Sequence, residues 1–125
     1  MTNGESDKRK YPRIPVYMKI LNDEGEMHFG FSYAKNISKG GIGLETRILL
    51  EESFHIEKGM ILTLKFKLPT GNHVNTVKGK VIRIDEKKKD DQYSYPMLGI
   101  EFIDVSKVTL VEIDKYLVHR EVRSL

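Results

Sequence analysis

The chain has no cysteine, which excludes a disulfide scaffold, a thiolate nucleophile and a cysteine-ligated metal. It has no apolar run long enough to cross a bilayer, and its first ten residues are polar and charged, without the apolar stretch of a secretory leader. A cytoplasmic protein without membrane insertion is the expectation. Charge of one sign is also in short supply: 21 Lys+Arg against 18 Asp+Glu leave a formal charge of +3, a milder excess than a dedicated DNA binder carries. His28, His55, His73 and His119 are scattered with no ligand spacing, so no metal site is expected. No nucleophile, base and orienter set and no catalytic pair of carboxylates is present, so an enzyme is not expected. Internal repeats and low-complexity tracts are absent, and 125 residues suffice for one core but not two. Any output then passes through a surface or a partner.

What is present is alternation. Residues 1–7 are polar and should be mobile when nothing holds them. Pro12 and Pro15 keep the next stretch extended. Ile14, Val16, Met18 and Ile20 then fall on one face of a strand, with Pro15, Tyr17 and Lys19 on the other. Asn22-Asp23-Glu24-Gly25 is a turn by composition, and Met27, Phe29, Phe31 and Tyr33 resume the alternation, which predicts a hairpin with most of these large residues in the core. Ile42 and Leu44 begin a third strand, residues 46–58 read as loop or a short helical turn, and Leu62, Leu64, Phe66 and Leu68 form the clearest strand of all. Pro69-Thr70-Gly71-Asn72 stops it. Between residues 74 and 84 the apolar phase changes, which predicts a bulge near Gly79 to Ile82. Residues 86–92 read as a charged hairpin tip, and Leu98, Ile100 and Phe102 make a last strand.

After Asp104 the period becomes helical: Ser106 is a plausible N-cap, and Leu110, Ile113 and Leu117 recur at spacings of three and four. Val108, Thr109, Val111 and Val118 lower the intrinsic propensity of this helix, so it must dock to persist. The chain is therefore mainly β: a six-stranded antiparallel barrel in meander order, closed or open at one edge, with a C-terminal helix over about 104–123.

Two polar stretches stand out from this frame. Lys8-Arg9-Lys10-Tyr11-Pro12-Arg13 is a basic run entering the first strand, and Asn36-Ile37-Ser38-Lys39-Gly40-Gly41-Ile42-Gly43 is a glycine-rich corner between the second and third. Arginine presents a planar fork that binds phosphate or a guanine O6/N7 edge and stacks on purines. The corner permits positive φ and the approach of a ligand to bare N–H groups, with Gly40 and Gly41 leaving room, Asn36 able to pair with a base edge and Ser38 able to donate its hydroxyl. The two stretches could close on one small, doubly anionic ligand.

Together, Arg9-x-x-x-Arg13 and Asn36-x-Ser38-x-x-Gly41 resemble the signature of PilZ domains, bacterial receptors for the second messenger cyclic di-GMP. Leu98-Gly99-Ile100-Glu101-Phe102 is similar to the closing strand of that family, whose fold is a six-stranded barrel with a C-terminal helix. The resemblance implies that Arg9 and Arg13, with Lys8 and Lys10 beside them, grip guanine and phosphate, and that Asn36, Ser38, Gly40 and Gly41 line the ligand from the barrel side. It implies a flexible arm over residues 1–13, a barrel domain over 14–125, and a protein partner that receives the signal. Where the family carries Asp at the first position of the second motif, a carboxylate accepts from two guanine N–H groups, whereas the Asn36 amide has one acceptor oxygen. Ordering residues 8–13 costs roughly 6–12 kcal/mol at about 1–2 kcal/mol per residue, so the arm is expected to be loose without ligand and clamped with it. Two other classes remain: a small basic barrel binding single-stranded nucleic acid through Phe29, Phe31 and Tyr33, which the regular alternation of these residues disfavours, and a PilZ-like adaptor that binds no nucleotide, which two intact motifs disfavour.

Overall fold

The structure is a computed structural model that describes residues 13–21, 24–49, 56–85 and 97–124. Six strands, β1 (Ile14–Leu21), β2 (Met27–Ile37), β3 (Gly41–Leu49), β4 (Ile61–Phe66), β5 (Asn75–Asp85) and β6 (Met97–Asp104), precede one helix, α1 (Lys107–Ser124). The strands close into an antiparallel barrel in the order β1-β2-β3-β6-β5-β4.

This order is not the expected meander, because β3 pairs with β6 and β4 lies between β1 and β5. Side-chain volume accounts for the exchange. In the β1–β4 register Val16 faces Phe66, Met18 faces Leu64 and Ile20 faces Leu62, so the largest apolar faces of the chain meet, all of them buried. β3 in turn offers β6 a bare backbone. A Cβ added to Gly41 would lie 2.4 Å from the Ile100 carbonyl oxygen, a separation that any other residue would have to relieve by moving the strand.

β3 also continues beyond the expected loop boundary at residue 46, since Ile48 and Leu49 pair with Phe31 and Gly30 across a register shift. The bulge expected in β5 is present, with register shifts at Lys78/Gly79 and Val81/Arg83. Of the expected turn at residues 22–25, Glu24 and Gly25 do turn the chain, with Gly25 at φ 82°, while residues 22–23, the hairpin tip at 86–92 and the arm before Arg13 lie outside the described residues.

The faces of β2 reverse the expectation. Met27 and Phe29 are exposed, Phe31 and Tyr33 are half-buried on the outer surface, and His28, Gly30, Ser32 and Ala34 point inward. The reason lies across the ladder, where Met18 is opposite Gly30, Val16 opposite Ser32 and Ile14 opposite Ala34. At these three levels the interior is filled by a larger residue from β1 with a small one beside it, while at the fourth Ile20 faces the buried His28. The Ser32 hydroxyl is satisfied by donating to the Val16 carbonyl at 3.2 Å.

α1 begins as expected. The Ser106 Oγ accepts from the Thr109 backbone N–H at 3.1 Å, which satisfies one of the N–H groups that a helix start leaves unpaired. Ile113 and Tyr116 are buried against the barrel, while Val108, Val111 and Val118 are exposed. A polar clasp fixes the same end. The Thr109 hydroxyl donates to Asn75 Oδ1 at 2.8 Å, Asn75 Nδ2 donates to Glu112 Oε1 at 3.1 Å, and His73 Nδ1 meets Glu112 Oε2 at 2.5 Å. A buried Asn75 is tolerable because both ends of its amide are bonded.

Candidate ligand site

The β2–β3 ladder ends at the pair Ile37–Ile42, leaving Ser38, Lys39 and Gly40 to turn the chain. The Ser38 N–H donates to the Gly41 carbonyl at 2.9 Å. The Ser38 hydroxyl oxygen accepts from the N–H groups of Gly40 and Gly41 at 3.3 and 3.2 Å, and its proton points to the Gly41 carbonyl at 3.3 Å. The corner therefore differs from the expectation on two points. Its N–H groups are engaged by its own serine, and none of Gly40, Gly41 and Gly43 has the positive φ found at Gly25 and Gly59. What the glycines supply is the missing Cβ.

The turn is held from two sides. The Phe102 N–H donates to the Gly40 carbonyl at 2.9 Å, which ties the turn to β6. Lys39 Nζ meets Asp114 Oδ1 at 3.1 Å, which ties it to α1, although an ion pair this exposed contributes only about 0–1 kcal/mol.

Asn36 is exposed and lies across the ladder, with its amide over Gly43. A Cβ at Gly43 would sit 2.8 Å from Asn36 Oδ1 and 3.0 Å from Nδ2. Gly43 is paired in turn with Gly99 of β6, and Gly99 with Arg83 of β5. Ile42, Leu44, Leu98 and Ile100 are buried, so the alternation of the strands turns Gly43 and Gly99 to the outer surface. The result is a pair of adjacent buried glycines, Gly43 covered by the Asn36 amide and Gly99 by the Arg83 side chain. Sequence inspection missed Gly43, Gly99 and Arg83 as a group because they come from three strands. The only signal was the extra glycine two residues past the motif.

Arg13 stands at the entrance to β1. Ile14 pairs with Ala34, so Arg13 lies beside the end of β2 that leads to Asn36 and Ser38. Its guanidinium carbon is 5.0 Å from the centroid of the Tyr33 ring, within cation–π range. Of the predicted residues, the structure thus brings Arg13, Asn36, Ser38, Gly40 and Gly41 to one end of the barrel, while Lys8, Arg9 and Lys10 lie outside the described residues. Tyr33 is edge-on to Phe31 at 5.0 Å, and Phe31 is tilted against Tyr17 at 5.3 Å. These rings pack on one another and on Arg13. Among the described residues no cluster of His, Asp or Glu is suited to a metal ion, and no helix is long and apolar enough to cross a membrane.

The PilZ domain model matches residues 7–119. The chain belongs to the PilZ domain family. Among solved structures, the PilZ domain with c-di-GMP of YcgR from Escherichia coli aligns with 94% of this chain and 95% of its own length, at 20% identity and a TM-score of 0.59. The Bacillus subtilis inhibitor of motility, MotI/DgrA, aligns with 91% of this chain at 20% identity and a TM-score of 0.62, and this chain spans about half of it, 49%. These likenesses are likenesses of fold. No curated protein matches the sequence significantly. Within the PilZ frame, the second signature motif is the β2–β3 corner itself, and Arg13, the described part of the first, enters β1 beside the strand that leads to that corner.

Proposed function

We propose that this PilZ domain is a receptor for cyclic di-GMP that acts by binding, not catalysis, and passes the signal to a protein partner through its N-terminal arm. The observation that carries the reading is the β1–β2 register, which sets Arg13 beside the segment ending in Asn36 and Ser38. Family membership and the c-di-GMP in the E. coli YcgR domain structure support the choice of ligand. In this reading Arg13 leaves the Tyr33 ring to meet guanine or phosphate, Arg9 closes from the other side with Lys8 and Lys10, and Asn36 pairs with a base edge. Ser38 acts through the turn: its hydroxyl holds Gly40 and Gly41 in place and so fixes where Asn36 and the backbone stand. A charge-assisted bond contributes about 1.5–3 kcal/mol, so losing Arg13 costs at least about tenfold in affinity.

Isothermal calorimetry of wild type and Arg13→Ala with cyclic di-GMP tests this. Binding by the wild type that weakens by that factor or vanishes in the variant is the expected result. Equal binding by both overturns the role of Arg13. No heat with the dinucleotide, together with salt-steep binding to a single-stranded oligonucleotide, replaces the receptor by a nucleic-acid binder. Silence toward both leaves an adaptor.

A further inference from the structure

The barrel wall is divided by charge. β2, β1, β4 and β5 are four strands in succession around it, and they contain no Asp or Glu before Asp85 at the end of β5. The other two strands, β3 and β6, hold Glu45, Glu101 and Asp104. On the outside of the four-strand wall the register sets Phe29 beside Lys19, Lys19 beside Thr63 and Thr63 beside Lys78 in one row. In the rows on either side Tyr17 stands next to Lys65, and Ile61 next to Lys80. All four lysines are exposed, and among the described residues none of them forms an ion pair. Tyr17, Leu21, Phe29 and Ile61 are large apolar side chains left exposed between them. Like charges gathered on one wall repel, and apolar side chains in water gain nothing from burial, so the fold alone does not account for this combination.

We propose that this wall is a docking surface for an anionic lipid bilayer, on which the domain lies without crossing it. The apolar side chains enter the headgroup layer while the lysines lie along them and keep their ammonium groups among the lipid phosphates. Charge complementarity requires an anionic partner, and two observations favour a lipid surface over a nucleic acid or an acidic protein. The cations are lysines, whose flexible point charges suit a diffuse layer of headgroups. The arginines at the borders of the wall, which have the directional fork, are engaged elsewhere: Arg13 lies over the Tyr33 ring, and Arg83 Nε donates to Asp85 Oδ2 at 3.2 Å. The apolar residues alternate with lysines across about 14 Å of convex wall, three strand spacings, instead of gathering into the central cluster that anchors a protein interface. Leu21 and Ile61 stand at the ends of β1 and β4 remote from the β2–β3 corner, so a domain seated on a bilayer there keeps that corner open to solution. The proposal does not depend on the receptor reading above.

Co-sedimentation of the full chain with vesicles of phosphatidylcholine alone, and of phosphatidylcholine mixed with phosphatidylglycerol, tests it, with thermal melts to confirm that each variant folds. Wild type should pellet with the mixed vesicles and not with the neutral ones. Lys19→Gln/Lys78→Gln should bind the mixed vesicles about thirtyfold more weakly at low salt. Lys115→Glu, which changes the net charge by the same amount on the exposed side of α1, should bind within about twofold of wild type. Phe29→Ser should weaken binding about fivefold, and that loss should persist at high salt, where the effect of the lysines is screened. Absence of binding to the mixed vesicles, equal binding to both kinds, or equal losses in the double variant and Lys115→Glu overturns the proposal. A single-stranded oligonucleotide bound by wild type and lost by the double variant, without vesicle binding, assigns the wall to nucleic acid and overturns it as well.

Discussion

β1 and β2 are antiparallel neighbours in continuous register from Ile14–Ala34 to Leu21–Met27, yet they sort their residues in opposite senses. β1 buries Ile14, Val16, Met18 and Ile20 and exposes Tyr17 and Lys19. β2 buries His28, Gly30 and Ser32, half-buries Ala34 on the same face, and turns Met27, Phe29, Phe31 and Tyr33 outward. The difference teaches that a period of two fixes which residues share a face, but not which face is the inside. The inside is decided by the volume each rung must hold, and where β1 supplies a methionine, β2 can supply only a glycine. The aromatic residues of β2 then find partners on the surface, where Tyr17, Phe31, Tyr33 and Arg13 form a chain of ring contacts.

Breaking the large partner of a rung should cost most. Met18→Ala opens a cavity beside Gly30 that no neighbour on that rung can fill, and should destabilise the protein by about 2–5 kcal/mol, measured as a lower urea midpoint at unchanged slope. An effect below about 1 kcal/mol would mean that the barrel wall collapses inward and that the large-with-small pairing is not what sets the face.

A change on the outer surface of β3 should act on ligand and hardly on folding. Gly43→Val places a Cβ where the Asn36 amide now lies. That amide is the end of an exposed side chain and can swing away, so the melting temperature should move little, while cyclic di-GMP affinity falls by about tenfold. Calorimetry beside a melt separates the two outcomes, and unchanged affinity would remove Asn36 from the site.

The smallest effect is expected from Phe29, which is 48% exposed. Phe29→Ser should alter stability by no more than about 0.5 kcal/mol in the same urea titration, although it deletes an aromatic ring from the strand whose opposite face tolerates almost nothing. A loss near that of Met18→Ala would show that the outward rings are structural.

Much of this architecture was legible in the residues themselves. β1, β4 and β6 announced their inner faces because aliphatic residues occupied every second position, the β5 bulge showed as a change of phase, and Ser106 marked the helix start by its own chemistry. The two motifs were legible as well, as stretches in which polar and flexible residues interrupted a strand pattern. What could not be read depended on partners distant in sequence. The face of β2 needed Met18 and Val16 to be known as its opposites, and the pairing of β3 with β6 needed the bare backbone of Gly41 to be set against Ile100. The Asn36–Gly43–Gly99–Arg83 row exists only once four strands are side by side. Ser38 was legible as a polar member of the corner, but its engagement with Gly40 and Gly41 was not, because a hydroxyl is equally suited to a ligand and to its own backbone.

Because the sheet closes on itself, each of the six strands is flanked on both sides, and among the described residues no strand stands at an open sheet edge. A closed wall does not present the open edge strand on which many sheet proteins accept an added strand. Contacts on the closed wall are made with side chains. Circular closure thus makes the domain deaf to indiscriminate backbone pairing and reserves its surface for contacts that depend on sequence.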